Sequence, residues 1–402
     1  MKRALSPQGL VLLFMLTYMV SYITRINFGA IVQEIVIATG FSKAQLSMAL
    51  TGSFITYGAG QLLSGVCGDR FQPKVLIGLG LLLTTTTNLL IPFCGAVGWM
   101  VAVWCVNGFA QAFMWPPLVR LMISLLPAEE YAHATMVVAW GGSIGTILIY
   151  LISPLLITWA DWRSVFWCAA LSSLCMAWIW WRLCPKITET EASPPVKTAE
   201  NRSGRLLSPL LIGILLAIVL QGALRDGITT WMPTYIAETY QLGSGISILS
   251  GVLLPLFSIL CHRLTNSLYH RLREDPLLCS SILFAAGIIT TLALLLCTGR
   301  SAAGSALCAA LLTGCMHGIN LILVCIVPHF FRGQGHISAI SGLLNAFTYV
   351  GSALSTYGIA WVSENSGWIA TIGLWAVIAG LGLVICLVCL PAWRRKFPKK
   401  TG

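Results

Sequence analysis

The chain has 402 residues, 57% of them apolar and 9% charged, with a formal net charge of +11. That much apolar surface exceeds what a soluble core of this length can use, so a soluble globular protein is excluded and a polytopic membrane protein is expected. The basic residues lie in short loops and at the termini, with no block suited to tracking a phosphate backbone, so no nucleic-acid partner is expected either.

The amino terminus, MKRALSPQGLVLLFML, resembles a secretory signal, but its apolar stretch runs too far and no small-residue cleavage site follows. An uncleaved first helix is expected there. Twelve stretches of spanning length follow in chain order, near 9–32, 43–66, 75–94, 97–124, 132–156, 164–184, 207–237, 244–264, 276–297, 302–327, 336–359 and 367–391. They are long unbroken runs without alternation of period two, so helices rather than a barrel are predicted. Between the sixth and seventh lies CPKITETEASPPVKTAENRSGR, whose Pro, Glu, Ser and Lys content marks a flexible linker. The expected layout is an all-α membrane protein with two pseudo-symmetric six-helix bundles, 1–184 and 207–402, joined by a cytoplasmic linker at 185–206.

Orientation follows from the basic residues. With both termini inside, nineteen of the 24 Lys and Arg fall on the inner side, and Lys43, Arg163 and Arg300 alone fall outside. Arg25 and Arg225 belong to neither face. Arg25 comes 16 residues after Gly9 and Arg225 comes 18 after Leu207, which places each about 24–27 Å along a helix leaving the cytoplasm, around the bilayer midplane or somewhat beyond it. Similar depth and parallel direction are what two repeats about an axis along the membrane normal produce.

An arginine at the centre of a membrane helix costs about 2.5–3.5 kcal/mol on translocon-derived scales, so two of them at matching places point to function. Two such charges facing one cavity would make a site for an anion. On the first helix Tyr18, Tyr22 and Arg25 are spaced i, i+4, i+7 and share a face. Asp226 follows Arg225 directly; neighbours in a helix point about 100° apart, so it is expected to be poorly placed to neutralise Arg225, and either pairs with another helix or carries a proton. Pro233, in WMPTY, is expected to break or kink its helix near the outer end and suits a gating segment. Gly141, Gly142 and Gly145 form a small face with GxxxG spacing for close helix contact. His317, a lone histidine in CMHGINL, is a second candidate for proton coupling. Asp69 and Arg70, in GVCGDRFQPK, are candidates for steadying one conformation at a cytoplasmic turn.

The 14 cysteines are scattered singly through apolar segments; Cys386 and Cys389 have redox spacing but fall inside the last helix and read as small apolar filler. Neither metal-ligand spacing, nor a phosphate-cradling Gly-rich loop, nor a nucleophile–base constellation is found, so no cofactor and no enzymatic activity are expected.

Several motifs together resemble the major facilitator superfamily and, within it, the organophosphate:phosphate antiporter family, which includes the glycerol-3-phosphate and hexose-phosphate transporters. They are YITRINF at 22–28, DRFQPK at 69–74, NGFAQAFMWPPLVRLM at 107–122, LRDGITTWMPTYI at 224–236 and FTYVGS at 347–352. The resemblance covers nearly the whole chain. It implies that Arg25 and Arg225 bind a phosphoryl group, with Tyr18, Tyr22 and Tyr57 around it and Tyr349 where the family has another tyrosine. It also shows two departures: the family's second-helix lysine falls on Gln61, and a fifth-helix histidine of the glycerol-phosphate branch falls on Gly142. Fewer positive groups imply a less charged anion, or a head recognised through neutral hydrogen bonds.

The expected function is secondary transport of a small organic anion by alternating access, first a phosphate ester exchanged for inorganic phosphate. Proton-coupled symport of a carboxylate or sugar acid, with Asp226 or His317 carrying the proton, and a transporter-like ligand sensor are the alternatives. The expected setting is the plasma membrane, as a monomer in contact with lipid and a small-molecule anion.

Overall fold

A computed structural model describes residues 5–127, 129–187, 208–334 and 337–397, with the backbone alone for 65, 66, 68–70, 132, 329, 332–334, 337–339 and 341. All but Pro185–Ile187 of the predicted linker lies outside the described residues. Every regular element among the described residues is helical. They divide into two units: the helices up to Leu183 together with Ser244–Val252, and the remainder from Pro209 onward.

The first unit contains α1 (Pro7–Ala30), α2 (Val32–Thr39), α3 (Lys43–Arg70), α4 (Pro73–Leu90), α5 (Val97–Gln111), α6 (Trp115–Leu125), α7 (Tyr131–Trp159) and α8 (Trp162–Leu183). Helix α1 begins with Pro7 in its first turn, where no N–H is needed, and the Ser6 hydroxyl accepts from the Gly9 N–H at 3.2 Å. Leu10, Leu13, Phe14, Leu81, Leu121 and Trp180 form a core at one end of the unit. There the Trp180 indole N–H donates to the Lys74 carbonyl at 2.9 Å. Toward the other end, Phe28, Trp104 and Phe166 meet with centroids 5.1–5.8 Å apart. The predicted 97–124 span is two helices, because the chain turns at Ala112–Met114 and restarts with Pro116 and Pro117 in the first turn of α6. Helix α1 lies along α7, where Gly141 and Gly145 face the carbonyls of Met15 and Met19 so closely that a Cβ at either position would collide with them.

The chain continues through α9 (Pro209–Tyr240), the short α10 (Ser244–Ser250, grouped with the first unit), α11 (Leu253–Arg271), α12 (Pro276–Cys297), α13 (Ala302–Asn320) and α14 (Ile337–Lys396). A π-helical turn, Leu321–Ile326, and a 3₁₀ stretch, Val327–Gln334, join α13 to α14. The expected break at Pro233 is corrected: α9 runs through it to Tyr240 with helical backbone throughout. Side chains beyond the proline hold that end in place. The Tyr235 hydroxyl donates to Ser305 Oγ at 3.0 Å, and the Trp368 indole N–H donates to Glu238 Oε2 at 2.8 Å. In the same unit the Trp231 indole N–H donates to the Thr356 carbonyl at 3.0 Å, fixing α9 against α14.

Ten helical stretches among the described residues are long and apolar enough to cross a membrane, against twelve predicted. Two causes account for the difference. Helix α3 carries Gln45, Ser47, Thr51, Ser53, Thr56, Tyr57 and Gln61 and is too polar to count. Helix α14 contains two predicted spans, separated at Gly367, where φ is +77°. At its far end Arg394 Nε donates to Asp275 Oδ2 at 2.8 Å, while Asp275 also caps α12 by accepting from the Leu278 N–H at 3.2 Å.

Candidate functional site

In the first unit, helical spacing places Tyr18, Tyr22 and Arg25 on one face of α1. The Tyr18 hydroxyl donates to the Tyr22 hydroxyl at 3.4 Å, and the Arg25 guanidinium lies 5.7 Å from the centroid of the Tyr22 ring. From α3, buried Tyr57 brings its ring to 4.1 Å from the same guanidinium. A cation above a tyrosine face is held by about 0.5–2 kcal/mol, which helps to fix the guanidinium. Tyr18 also packs on Trp115 at the start of α6, with centroids 4.9 Å apart. Gln61 sits one turn beyond Tyr57 on α3 and donates from Nε2 to the Ala112 carbonyl at the α5–α6 turn, 3.2 Å away. Tyr57→Leu is expected to destabilise the fold by about 1 kcal/mol through loss of this contact, read from thermal unfolding of the purified protein.

Gly142, where the resemblance places a histidine in relatives, accounts for how the two α1 tyrosines fit. A Cβ there would lie 3.0 Å from Tyr22 Cε2 and 3.2 Å from Tyr18 Cε1. The glycine therefore gives the rings their room. Gly142→Leu is expected to lower the thermal unfolding midpoint more than Gly142→Ala does, measured on the purified variants.

Sequence reasoning missed the amides behind Arg25. Thr24, Asn27, Asn88 and Asn107 are fully buried, and Gln111 nearly so. Asn27 Nδ2 donates to Asn88 Oδ1 at 2.7 Å, and Gln111 Nε2 donates to Thr24 Oγ1 at 2.9 Å. Asn88 and Asn107 both donate to the Thr24 carbonyl, at 3.3 and 3.1 Å. Two helices, α4 and α5, thus grip the turn of α1 that carries Arg25, since buried amides bonded in this way define a single arrangement. The signal was available: four amide side chains inside apolar spans are as unusual as an arginine.

In the second unit the expectation for Asp226 is corrected. Arg225 Nε donates to Asp226 Oδ1 and Arg225 Nη2 donates to Asp226 Oδ2, both at 2.7 Å, with the two side chains 11% and 16% exposed. Adjacent positions diverge at Cβ, but a guanidinium on three methylenes is long enough to swing back over its neighbour. Ser352 from α14 donates to Asp226 Oδ2 at 2.5 Å, so the carboxylate is fixed from two helices. The His317 ring on α13 lies near that of His262 on α11, with centroids 5.7 Å apart and a tilt of 56°. His262 and Ser352 were not anticipated: no motif singled out His262, and serines are common in membrane helices. Tyr349 is half-buried on α14, one turn before Ser352. The side chains of Asp69 and Arg70 lie outside the described residues, and α3 reaches Arg70 as continuous helix.

Each unit therefore carries one arginine among aromatic and polar side chains inside long apolar helices, the pattern of an integral multi-pass membrane protein with polar sites within its bundles. The chain belongs to the Major Facilitator Superfamily, which it matches over residues 14–356. A probable hexose phosphate transport protein of Chlamydia muridarum is 29% identical over 162 residues, covering 40% of this chain and 36% of that protein. Membrane sensor protein UhpC of Salmonella typhimurium is 25% identical over 245 residues, covering 56% and 55%. The matched region thus spans between about a third and just over half the length of these relatives. In structure, the chain is similar to a bacterial homologue of the human lysosomal transporter Spinster, in an inward-facing and unoccupied conformation. The TM-score is 0.80 at 13% identity, covering 98% of this chain and 99% of the other, a likeness of fold.

Proposed function

We propose that the protein is a secondary active transporter of a small organic anion, a phosphate ester exchanged for inorganic phosphate, working by alternating access. The observation that carries this reading is one arginine in each unit, Arg25 held on the Tyr57 ring and Arg225 on the Asp226 carboxylate. Two guanidinium groups of this kind suit a tetrahedral oxyanion able to take paired hydrogen bonds. The names of the relatives support the same substrate class, since one is a probable hexose phosphate transport protein. Tyr18, Tyr22, Tyr57, Gln61 and Tyr349 supply neutral hydrogen-bonding and stacking groups around the anion. A ligand that binds one conformation better than the other shifts the equilibrium between them, which is how the anion would drive alternating access. The protein works as a monomer in the plasma membrane, with both termini cytoplasmic, and a gradient drives it.

A second reading, proton-coupled movement of a carboxylate, is favoured by the carboxylate and two histidines around Arg225. Thermal unfolding of the purified protein separates the two, because a ligand of the folded state raises the midpoint as its concentration passes its dissociation constant. Inorganic phosphate and hexose phosphates are expected to stabilise it, and sugar acids are not. Stabilisation by sugar acids alone would replace the first reading with the second, and stabilisation by phosphates without flux in vesicles would make the protein a sensor.

A further inference from the structure

We propose that the end of the second unit where α11 finishes, α12 starts and α14 ends binds the headgroup of an anionic phospholipid. The inference is independent of how Arg25 and Arg225 act.

Two segments of the chain bring five cations to this end. Arg271 and Arg273 come from the end of α11 and its turn into α12, and Arg394, Arg395 and Lys396 from the last turn of α14; all five are exposed. The bond from Arg394 Nε to Asp275 Oδ2, at 2.8 Å, joins the two segments, so the cations form one patch. Two carboxylates accompany them, and both have partners nearby. Asp275 is buried and accepts from Arg394 and from the Leu278 N–H that it caps, while Glu274 Oε1 lies 3.2 Å from His270 Nδ1. Five cations against two carboxylates leave the patch with a surplus of positive charge.

The patch is more fixed than a solvated run of charges. Arg273 and Glu274 both take left-handed backbone, with φ of +55° and +59°, a conformation disfavoured for residues with a Cβ. Their N–H groups hold the turn by donating to the carbonyls of His270 and Tyr269, at 3.1 and 2.9 Å. On the α14 side, the Trp393 and Phe397 rings meet with centroids 4.6 Å apart, and Phe331 lies 5.3 Å from Phe397. Lys396 Nζ lies 5.1 Å from the centroid of Phe331 and 5.7 Å from that of Phe397, so ring faces hold its ammonium. Aromatic rings beside basic side chains mark the level at which hydrocarbon gives way to headgroups.

The choice of occupant follows from the surface next to the patch. Val384, Leu387 and Val388 of α14 are 56%, 46% and 71% exposed, an apolar face that lipid tails cover in a membrane. Arg394 follows Leu387, and Arg395 follows Val388, by seven residues, so they continue the same face about 10 Å further along the helix. A molecule with its tails on that face meets the cations with its phosphate, whereas a soluble anion gains the charge contact alone. Near a membrane surface each such cation strengthens the attraction to anionic headgroups roughly fivefold.

The test is native mass spectrometry of the purified full-length protein, released from micelles holding equal amounts of phosphatidylglycerol and phosphatidylcholine. Wild type is compared with Arg271→Gln/Arg273→Gln/Arg395→Gln/Lys396→Gln, which keeps the Arg394–Asp275 bond. A second variant, Lys186→Gln/Lys197→Gln/Arg202→Gln/Arg205→Gln, removes as many cations from the linker. Wild type and the linker variant are expected to retain phosphatidylglycerol in preference to phosphatidylcholine, and the patch variant to lose that preference by roughly tenfold or more. Equal retention of the two lipids by the wild type, or a patch variant that behaves as wild type, would overturn the proposal. An equal loss in both variants would do the same, because net charge alone would then account for it. Displacement of phosphatidylglycerol by inorganic phosphate would also overturn it and assign the patch to a soluble anion. Should the quadruple patch variant fail to insert, Arg271→Gln/Arg395→Gln is held to the same criteria.

Discussion

Arg25→Lys and Arg225→Lys are each expected to abolish exchange while the variant protein still inserts and folds. Lysine keeps the positive charge, so the cost of placing a cation in the span and its long-range pull on an anion both persist. What it loses is the planar fork that gives two parallel hydrogen bonds to one oxyanion. Breaking one desolvated, charged hydrogen-bonded contact costs about 2–5 kcal/mol, or roughly 30-fold to several thousand-fold in affinity. The two positions should differ in one respect. Arg25 rests on the Tyr57 ring, which a lysine ammonium can still approach, whereas Arg225 is bound edge-on to both oxygens of Asp226, which a lysine cannot reproduce. Arg225→Lys is therefore expected also to loosen Asp226, and its thermal midpoint should fall further than that of Arg25→Lys. Exchange rates in vesicles, normalised to inserted protein, together with unfolding midpoints check both parts.

The second large effect concerns stability. Asp226→Leu leaves Arg225 without its bidentate partner at a site where that side chain is 11% exposed. Removing one member of a buried pair costs about 3–5 kcal/mol, because an uncompensated charge remains, while replacing both with apolar residues is close to neutral. Asp226→Leu is accordingly expected to give poor yield and early unfolding. Arg225→Leu/Asp226→Leu should recover wild-type stability and show no transport. The double-mutant cycle isolates the coupling of the pair. A single Asp226→Leu protein as stable as the wild type would mean that the carboxylate is not what compensates Arg225.

Much of the fold was legible because a membrane span is a long-wavelength signal: twenty apolar residues in a row survive errors of several residues at each end. The signal fails where polarity is part of a helix's purpose. Helix α3 was found as a span by its length, yet its polar residues, including Tyr57 and Gln61, keep it below the apolarity of its neighbours. The α1 face was readable because Tyr18, Tyr22 and Arg25 follow helical spacing, which fixes direction locally. What lay between helices was not readable. Nothing in the chain order places Asn88 and Asn107 on the Thr24 carbonyl, or Ser352 on Asp226, since those partners are 64, 83 and 126 positions apart. The Asp226 expectation failed for a different reason. It used the angle between Cβ directions, which governs short side chains, and left out the reach of a guanidinium.

The most direct measurement is trans-stimulated release from proteoliposomes preloaded with labelled inorganic phosphate. External hexose phosphate or inorganic phosphate is expected to accelerate release from vesicles holding the wild-type protein, and external sugar acids should leave it at the leak rate. Vesicles holding Arg25→Lys should remain at the leak rate with every external anion. Equal acceleration in the wild type and Arg25→Lys, or release driven by sugar acids and untouched by phosphate esters, would contradict the assignment of the arginines to a phosphoryl group.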